Sequence, residues 1–560
     1  MGKLQSFFRF IIVTISLCVL ASCGINKSIN NRPNISKYET AIPKKQSVND
    51  STFFAGNNFL TKNKQGLWEL YVEGNPLEIG LITGLLSDSL MYKQEAVFFN
   101  KIRELVPSEG KQKFLRKFLS WYNRKMYKHI PEEYKTEIYG VSQYASPDFN
   151  AIAPPYLRAL YLHGAHDIGH ALQDLALVGC TSFAAWNEKT EDGNLLIGRN
   201  FDFYAGDEFA ENKIIAFVNP SSGYPFMSVT WGGMMGVVSG MNTQGLTVTI
   251  NAGKSKIPLV AKTPISIVTR EILQYASTID EAISIAKSRE VFVSESIMVG
   301  SAKDNRAILI EVSPKEFGVY DVENNNQLIC SNHFQSSAYA SDNRNLKTIE
   351  ESHSAYRYDR METLLNQSKT LNPTQGVSIL RNKNGHNNQA IGYGNEKALN
   401  QLLAHHSIVF QPEDLKVWIS SNPYQLGEFV AYDLNTVFYN RDNNPSTQSL
   451  QNTPLNIPED PFLNTKAYVD YEAYRVLGRK IEYAIANNQK LDNTVLKTVI
   501  ELNPNYWKPY ALIGDYYYKN KAYKAAVIAY NSAKTKEIPT LLDVDHIAKY
   551  LKKATRKSNK

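Results

Sequence analysis

Cysteine is scarce in this chain, four residues in 560, which excludes a cysteine-rich, disulfide-stapled scaffold. An excess of one charge is lacking too. Lys and Arg number 61 against 54 Asp and Glu, for a net charge of +7, and they are scattered among the acids. The only dense basic run is the extreme C-terminal "KYLKKATRKSNK", which reads as a solvated end or a weak contact with an anionic surface, so no nucleic-acid partner is expected. The N-terminal apolar run "FIIVTISLCVL" is too short to hold a stable membrane span. Apolar side chains themselves are plentiful. At 43% hydrophobic and 11% aromatic the balance is that of a globular chain long enough for two or more domains, not of a disordered one.

Lys3 and Arg9 precede that apolar run, which ends in "LASCG", the layout of a secretory signal peptide. The four residues "LASC" resemble a bacterial lipobox, in which cleavage before Cys23 leaves that cysteine to carry lipid; ordinary signal cleavage near Ser22 is the alternative. Residues 1–22 are therefore expected as a signal and 23–58, rich in Asn, Ser and Lys, as a flexible tether. A lipidated Cys23 implies a protein anchored in the bacterial cell envelope, at the outer membrane and facing the periplasm.

With Cys18 lost in the signal and Cys23 acylated, the exported protein keeps Cys180 and Cys330. One disulfide between them is the plain structural explanation. The surroundings of Cys180, "ALVGCTSFAAW", point elsewhere: a Gly before it and two small hydroxyl residues after it suit a thiol reached by a substrate or by its own backbone. Two apolar runs, "CTSFAAW" and "NLLIGRNFDF", flank the turn "EDGN" and read as a hairpin opening a sheet. Further strand-like runs follow in "KIIAFVN", "FMSVTW", "GLTVTIN", "SIMVGSA", "RAILIEV", "GVYDV" and "QLICSN". Between the two groups lie two helical segments, one with Thr263 and Pro264 at its start, the other with Thr278 and Glu281 in capping-box spacing. Strands, helices, strands make an α+β order, with helices covering a largely antiparallel sheet packing.

"GCTSF", "GRNFDF", "SGMNTQGLTVTINAG" and "CSNHF", in that order, resemble the N-terminal-nucleophile (Ntn) hydrolases of the acyl-coenzyme A:6-aminopenicillanic acid acyltransferase group, and more distantly the choloylglycine hydrolases. The resemblance runs from about Glu69 to about Leu434. It implies a four-layered αββα sandwich and an inactive precursor in which the Cys180 thiol attacks the carbonyl of Gly179, the peptide shifts to a thioester, and water frees a new N-terminus. Cys180 then carries both a thiol and an α-amine, nucleophile and general base in one residue, and neither metal nor cofactor is called for. By the same resemblance Asp202 holds the α-amine, Arg199 favours the thiolate, Asn332 bonds the amine and the developing oxyanion, and Asn251 is a second oxyanion donor. A late family arginine falls on Arg357, with Arg360 close enough to compete. Cys330 lies two residues before Asn332, on the same strand face, and is expected as a buried thiol near the site.

The segment 59–179 resembles the family's pro-chain, which stays associated after cleavage as a smaller subunit; 180–440 is then the catalytic core. In "YLHGAHDIGHALQD", His163, His166 and His170 share a helix face and His166 with His170 could chelate zinc, but the segment reads HDIGH rather than HExxH and no distant third ligand is evident. Residues 441–462 read as a polar, Pro-containing linker, and 463–556 as a small all-α unit in which "NPNYWKPYALIGDYYYKNKAYKAAVIAYNSAKTKEIP" resembles one tetratricopeptide repeat, a packing appendage or a surface for a protein partner. The combined expectation is a self-cleaving cysteine enzyme that moves an acyl group from a small molecule or lipid to water, an amine or an alcohol. The alternative is a catalytically silent Ntn scaffold that acts as an interaction module through its helical repeat.

Overall fold

The computed structural model describes residues 24–164, 167, 179–254, 260–440 and 449–559. Two sheets form its centre. The larger has eleven strands in the spatial order Gln46–Asn49, Thr52–Ala55, Asn58–Lys62, Trp68–Gly74, Ile214–Pro220, Phe226–Thr230, Ser239–Asn242, Leu246–Ala252, Glu295–Ser301, Arg306–Val312 and Phe317–Tyr320. All neighbours are antiparallel except Trp68–Gly74 and Ile214–Pro220, which run parallel with Trp68 opposite Ile214. The smaller sheet is antiparallel throughout, in the order Gln327–Cys330, Thr181–Ala185, Leu196–Phe201, His406–Gln411, Lys416–Ser420 and Phe429–Asp433.

Runs such as "LTVTINA" and "AILIEV" are buried on both faces because each sheet has the other sheet on one side and helices on the other. Ile197, Phe217, Met298, Leu309, Phe410 and Ile419 fill the space between the sheets. Helices Pro76–Leu105, Glu132–Ser142, Ile265–Tyr275 and Ile279–Ser288 cover the outer face of the large sheet. Ser354–Gln367 and Pro373–Leu380 cover the small one. The result is the αββα sandwich, and the hairpin expected around "EDGN" is present, with Thr181 opposite Asn200 and Ala185 opposite Leu196.

The segment before Cys180 is woven into this sandwich. Its strand Trp68–Gly74 lies inside the large sheet, bonded to a strand of the catalytic core. Helix Pro76–Leu105 starts with a capping box, Asn75 with Glu78, and packs on Glu132–Ser142 so closely that a Cβ on Gly80 would come within 2.2 Å of the Glu137 carbonyl oxygen. Glu137 pairs with Arg270 of the core at 2.9 Å, both buried.

Three expectations are revised. Residues 24–58 are not a bare tether: 24–30 is helical, and Gln46–Asn49 and Thr52–Ala55 extend the large sheet. Phe54 and Ala55 supply buried apolar surface within an otherwise polar stretch, and Gly56, at φ +62°, makes the turn to the next strand. Cys23 and the signal lie outside the described residues. The described part of the 441–462 linker is laid along the core, with Ile457 bridged to Phe429 and Leu455 accepting a bond from the Trp418 indole at 2.8 Å. Thr278 does cap its helix, accepting from the Glu281 amide at 3.3 Å, but Glu281 bonds Ser277 rather than closing the box.

C-terminal to this run helices Lys466–Asn487, Asn493–Leu502, Lys508–Lys519, Tyr523–Ala533 and Leu541–Ser558. They share an apolar cluster of their own, into which Leu402 and Leu426 of the sandwich are inserted.

Candidate active site

Cys180 stands just before strand Thr181–Ala185, at the centre of the sandwich and 1% exposed. Burial pushes its thiol up to about 11, against the pull of the neighbouring Arg199. The thiol of the intact chain is therefore neutral near pH 7. Arg199, fully buried, donates from Nη1 to the Val238 carbonyl at 2.9 Å and to Ser239, from Nη2 to the Ile250 carbonyl, and lies 3.9 Å from Cys180 Sγ through Nη2. Its guanidinium covers the Phe201 ring at 4.3 Å. These contacts hold one positive charge against the sulfur.

Arg357, on helix Ser354–Gln367, is also fully buried. Its Nη1 donates to the carbonyl oxygens of Gly179 at 2.7 Å and Cys180 at 2.8 Å and to the Thr181 hydroxyl; Nη2 donates to Asn332 Oδ1 at 2.8 Å. Arg360, one turn on, instead meets Asn382 and Asn388. Of the two arginines, Arg357 is the one at the Gly179–Cys180 bond.

Asp202 is fully buried at the end of the strand that pairs with Thr181–Ala185, and its backbone carbonyl accepts from the Gly179 amide at 3.2 Å. Neither oxygen of its carboxylate has a hydrogen-bond partner among the described residues. Burial raises it to about 7, although Arg357 and Arg199 pull it down. A buried carboxylate left without a donor is costly and rare.

The two asparagines border the site without touching the Gly179 carbonyl. Asn251 accepts from the Ser182 hydroxyl at 3.0 Å and donates to the Cys330 and Ser331 carbonyls, both at 3.2 Å. Asn332 donates to the Ala252 carbonyl at 3.0 Å. Cys330 sits opposite Ser182 in the sheet, fully buried and free, as Cys180 is free; burial pushes its thiol up. The two thiols are not joined.

Sequence reasoning missed several neighbours of the site. Gln401 donates to the Gly179 carbonyl oxygen at 2.9 Å from a loop with no periodic pattern. Ser239, which Arg199 bonds, contacts His406 Nε2 at 2.9 Å, and His406 meets His405 at 2.9 Å; the adjacent histidines in "AHH" were the visible trace of that buried pair. His163 spends both ring nitrogens within the fold, Nδ1 on the Ala159 carbonyl and Nε2 accepting from the Met235 amide, each at 2.8 Å. His166 and His170 lie outside the described residues.

The αββα sandwich, with a cysteine at the head of a central strand and its preceding carbonyl held by donors, is the arrangement that the sequence resemblance implies. Residues 186–423 match the model of the acyl-coenzyme A:6-aminopenicillanic acid acyl-transferase family. An uncharacterised protein of Archaeoglobus fulgidus is 25% identical over 276 residues, 45% of either chain. Protein dcd1B of Dictyostelium discoideum is 25% identical over 34% of this chain and 36% of its own. The chain thus spans less than half the length of these curated relatives. Among solved structures, the Caenorhabditis elegans N-acylethanolamine-hydrolyzing acid amidase ortholog is 19% identical, with a TM-score of 0.32 over 42% of this chain and 93% of that one. A mutant conjugated bile acid hydrolase from Clostridium perfringens is 14% identical, with a TM-score of 0.32 over 47% and 94%.

Proposed function

We propose that this chain is the precursor of a cysteine Ntn enzyme that cuts itself between Gly179 and Cys180 and then transfers acyl groups through a thioester on Cys180. The observation that carries this reading is the buried Asp202 carboxylate, which has no donor among the described residues and lies beside the peptide that self-cleavage would turn into an α-ammonium. Cleavage creates the missing partner. Arg199 then stabilises the thiolate at 3.9 Å, and the freed α-amine, with a reference pKa near ~8, serves as base close to neutrality.

In turnover, the sulfur attacks a substrate carbonyl, the leaving amine or thiol takes a proton from the α-ammonium, and the acyl-cysteine passes its acyl group to water or to an amine or alcohol. Asn251 and Asn332 flank Cys180 and are suited to donate to the substrate oxyanion once released from backbone carbonyls. Lipid attached at Cys23 would hold the enzyme at an envelope surface, which favours donors with long or apolar acyl groups; fractionation of Cys23→Ser against wild type tests the anchor, and equal partition into the soluble fraction contradicts it.

The enzyme reading is tested by incubating cleaved protein with acyl amides, lactones and thioesters and weighing the fragments. An acyl adduct on the fragment that begins at Cys180, absent from Cys180→Ala, is expected. Undiminished turnover in Cys180→Ala contradicts it.

A further inference from the structure

The loop 389–405 reaches the scissile bond from the side of the C-terminal helices. Gln401, 3% exposed, donates its Nε2–H to the Gly179 carbonyl oxygen at 2.9 Å, and Arg357 donates to the same oxygen at 2.7 Å. The amide is pressed onto this residue: a Cβ on Gly179 would lie 2.2 Å from Gln401 Nε2. One charged and one neutral donor on a single buried carbonyl oxygen form the arrangement that stabilises a tetrahedral oxyanion.

The neighbouring residue shows what aims Gln401. Leu402 is fully buried at φ +54°, a conformation that a leucine keeps only where its surroundings over-determine it. Those surroundings come largely from the C-terminal helices. The Leu402 side chain belongs to their apolar cluster, and its carbonyl accepts from the Tyr471 hydroxyl at 3.3 Å. Earlier in the loop, Asn503 donates to the Tyr393 carbonyl at 2.8 Å and Asn395 to the Glu537 carbonyl at 3.0 Å. Gly392, at φ +85°, lies so close to Tyr506 that a Cβ would meet its backbone at 2.4 Å.

We propose that Gln401 is a catalytic residue of self-cleavage and that the C-terminal helices are an internal positioning unit for it. The proposal rests on the self-cleavage reading and adds to it. Cys180 Sγ bonds to the Gly179 carbonyl carbon, and the carbonyl electron pair moves onto the oxygen held by Gln401 and Arg357. Collapse breaks the C–N bond, and the thiol proton ends on the Cys180 nitrogen as it becomes the α-amine. Water then adds to the thioester and the C–S bond breaks, leaving a Gly179 carboxylate and the restored thiol. The helices that resemble a repeat module are thereby given work inside the chain: folding of the C-terminal unit becomes a condition for efficient cleavage at a bond far upstream in sequence.

The test follows the appearance of the fragment beginning at Cys180 in freshly synthesised full-length chains. Gln401→Glu keeps the side-chain bulk but replaces the amide donor with a carboxylate. It should cleave about 10²-fold more slowly than wild type at pH 8, and the deficit relative to wild type should shrink as the pH falls and the glutamic acid regains an O–H. Tyr471→Phe should slow cleavage by about threefold or more when followed well below its thermal transition, where the chain is fully folded. Wild-type rates for Gln401→Glu at every pH, or a deficit that ignores pH and accompanies a lowered thermal transition, would overturn the catalytic role. A wild-type rate for Tyr471→Phe would overturn the positioning role. A wild-type chain that stays whole contradicts self-cleavage itself, an outcome distinct from the others.

Discussion

The guanidinium of Arg357 donates to the carbonyl oxygen of Gly179 at 2.7 Å, across 178 residues of sequence. The reacting carbonyl is thus polarised before any bond is broken, by a group that burial lowers to about 10 yet leaves charged at neutral pH. Arg357→Ala should slow self-cleavage by about 10²-fold or more, and Arg357→Lys by less. Arg360→Ala should cleave normally while losing on the order of 1–3 kcal/mol of stability, because it removes a buried guanidinium with its charge-assisted bonds to Asn382 and Asn388. Densitometry of precursor and fragments over time, with thermal unfolding of each variant, separates these effects.

Asp202 makes the uncleaved chain sensitive to pH. Its folded-state value of about 7 lies above the ~4 of an unfolded aspartate, so between these values the folded chain binds more protons than the unfolded one. The stability Asp202 contributes is present below ~4 and lost as pH rises through about 7, an effect on the order of 1–4 kcal/mol. Cys180→Ala, which stays uncleaved, should therefore lose stability from pH 5 to pH 8, and Asp202→Asn in that background should flatten the loss. Denaturant unfolding across that range checks it; equal slopes in both proteins would remove the orphaned carboxylate from the argument.

A side chain at position 179 would displace Gln401. A Cβ there would fall 2.2 Å from Gln401 Nε2 and 2.6 Å from its Oε1, so Gly179→Ala must push the Gln401 amide off the carbonyl oxygen. Cleavage of Gly179→Ala should slow by about tenfold or more, measured in the same time course. A wild-type rate would show that the packing around Gly179 yields freely.

The two fragments should hold together. After cleavage, strand Trp68–Gly74 still pairs with Ile214–Pro220 inside the large sheet, and the buried Glu137–Arg270 pair still crosses between fragments. Both should elute as one species and part only in denaturant. Gly140→Val, whose Cβ would meet the Leu81 backbone nitrogen at 2.6 Å, should cost roughly 2–4 kcal/mol through overpacking and lower the yield of the paired species in size-exclusion chromatography.

Much of this architecture is legible in the sequence because both sheets are built from short apolar runs with turn residues between them, and "EDGN" marks its hairpin outright. Cys180, Asp202 and Arg199 declare themselves because they cluster at that hairpin. The strands at Gln46–Asn49 and Thr52–Ala55 do not, since a sheet edge admits polar residues and only Phe54 and Ala55, on opposite faces, are buried apolar positions there. Arg357 and Arg360 are indistinguishable by spacing; helix Ser354–Gln367 buries both, and only tertiary packing turns one toward Gly179. Gln401 is invisible for a related reason: its position depends on Leu402 being gripped by helices that begin more than sixty residues later.

The most direct measurement is intact-mass analysis and N-terminal sequencing of the purified full-length protein. Two copurifying chains are expected, one ending at Gly179 and the other beginning at Cys180, with Cys180→Ala remaining a single chain. A wild-type protein that transfers acyl groups while its Gly179–Cys180 bond stays intact would contradict the claim that Cys180 acts as an N-terminal nucleophile.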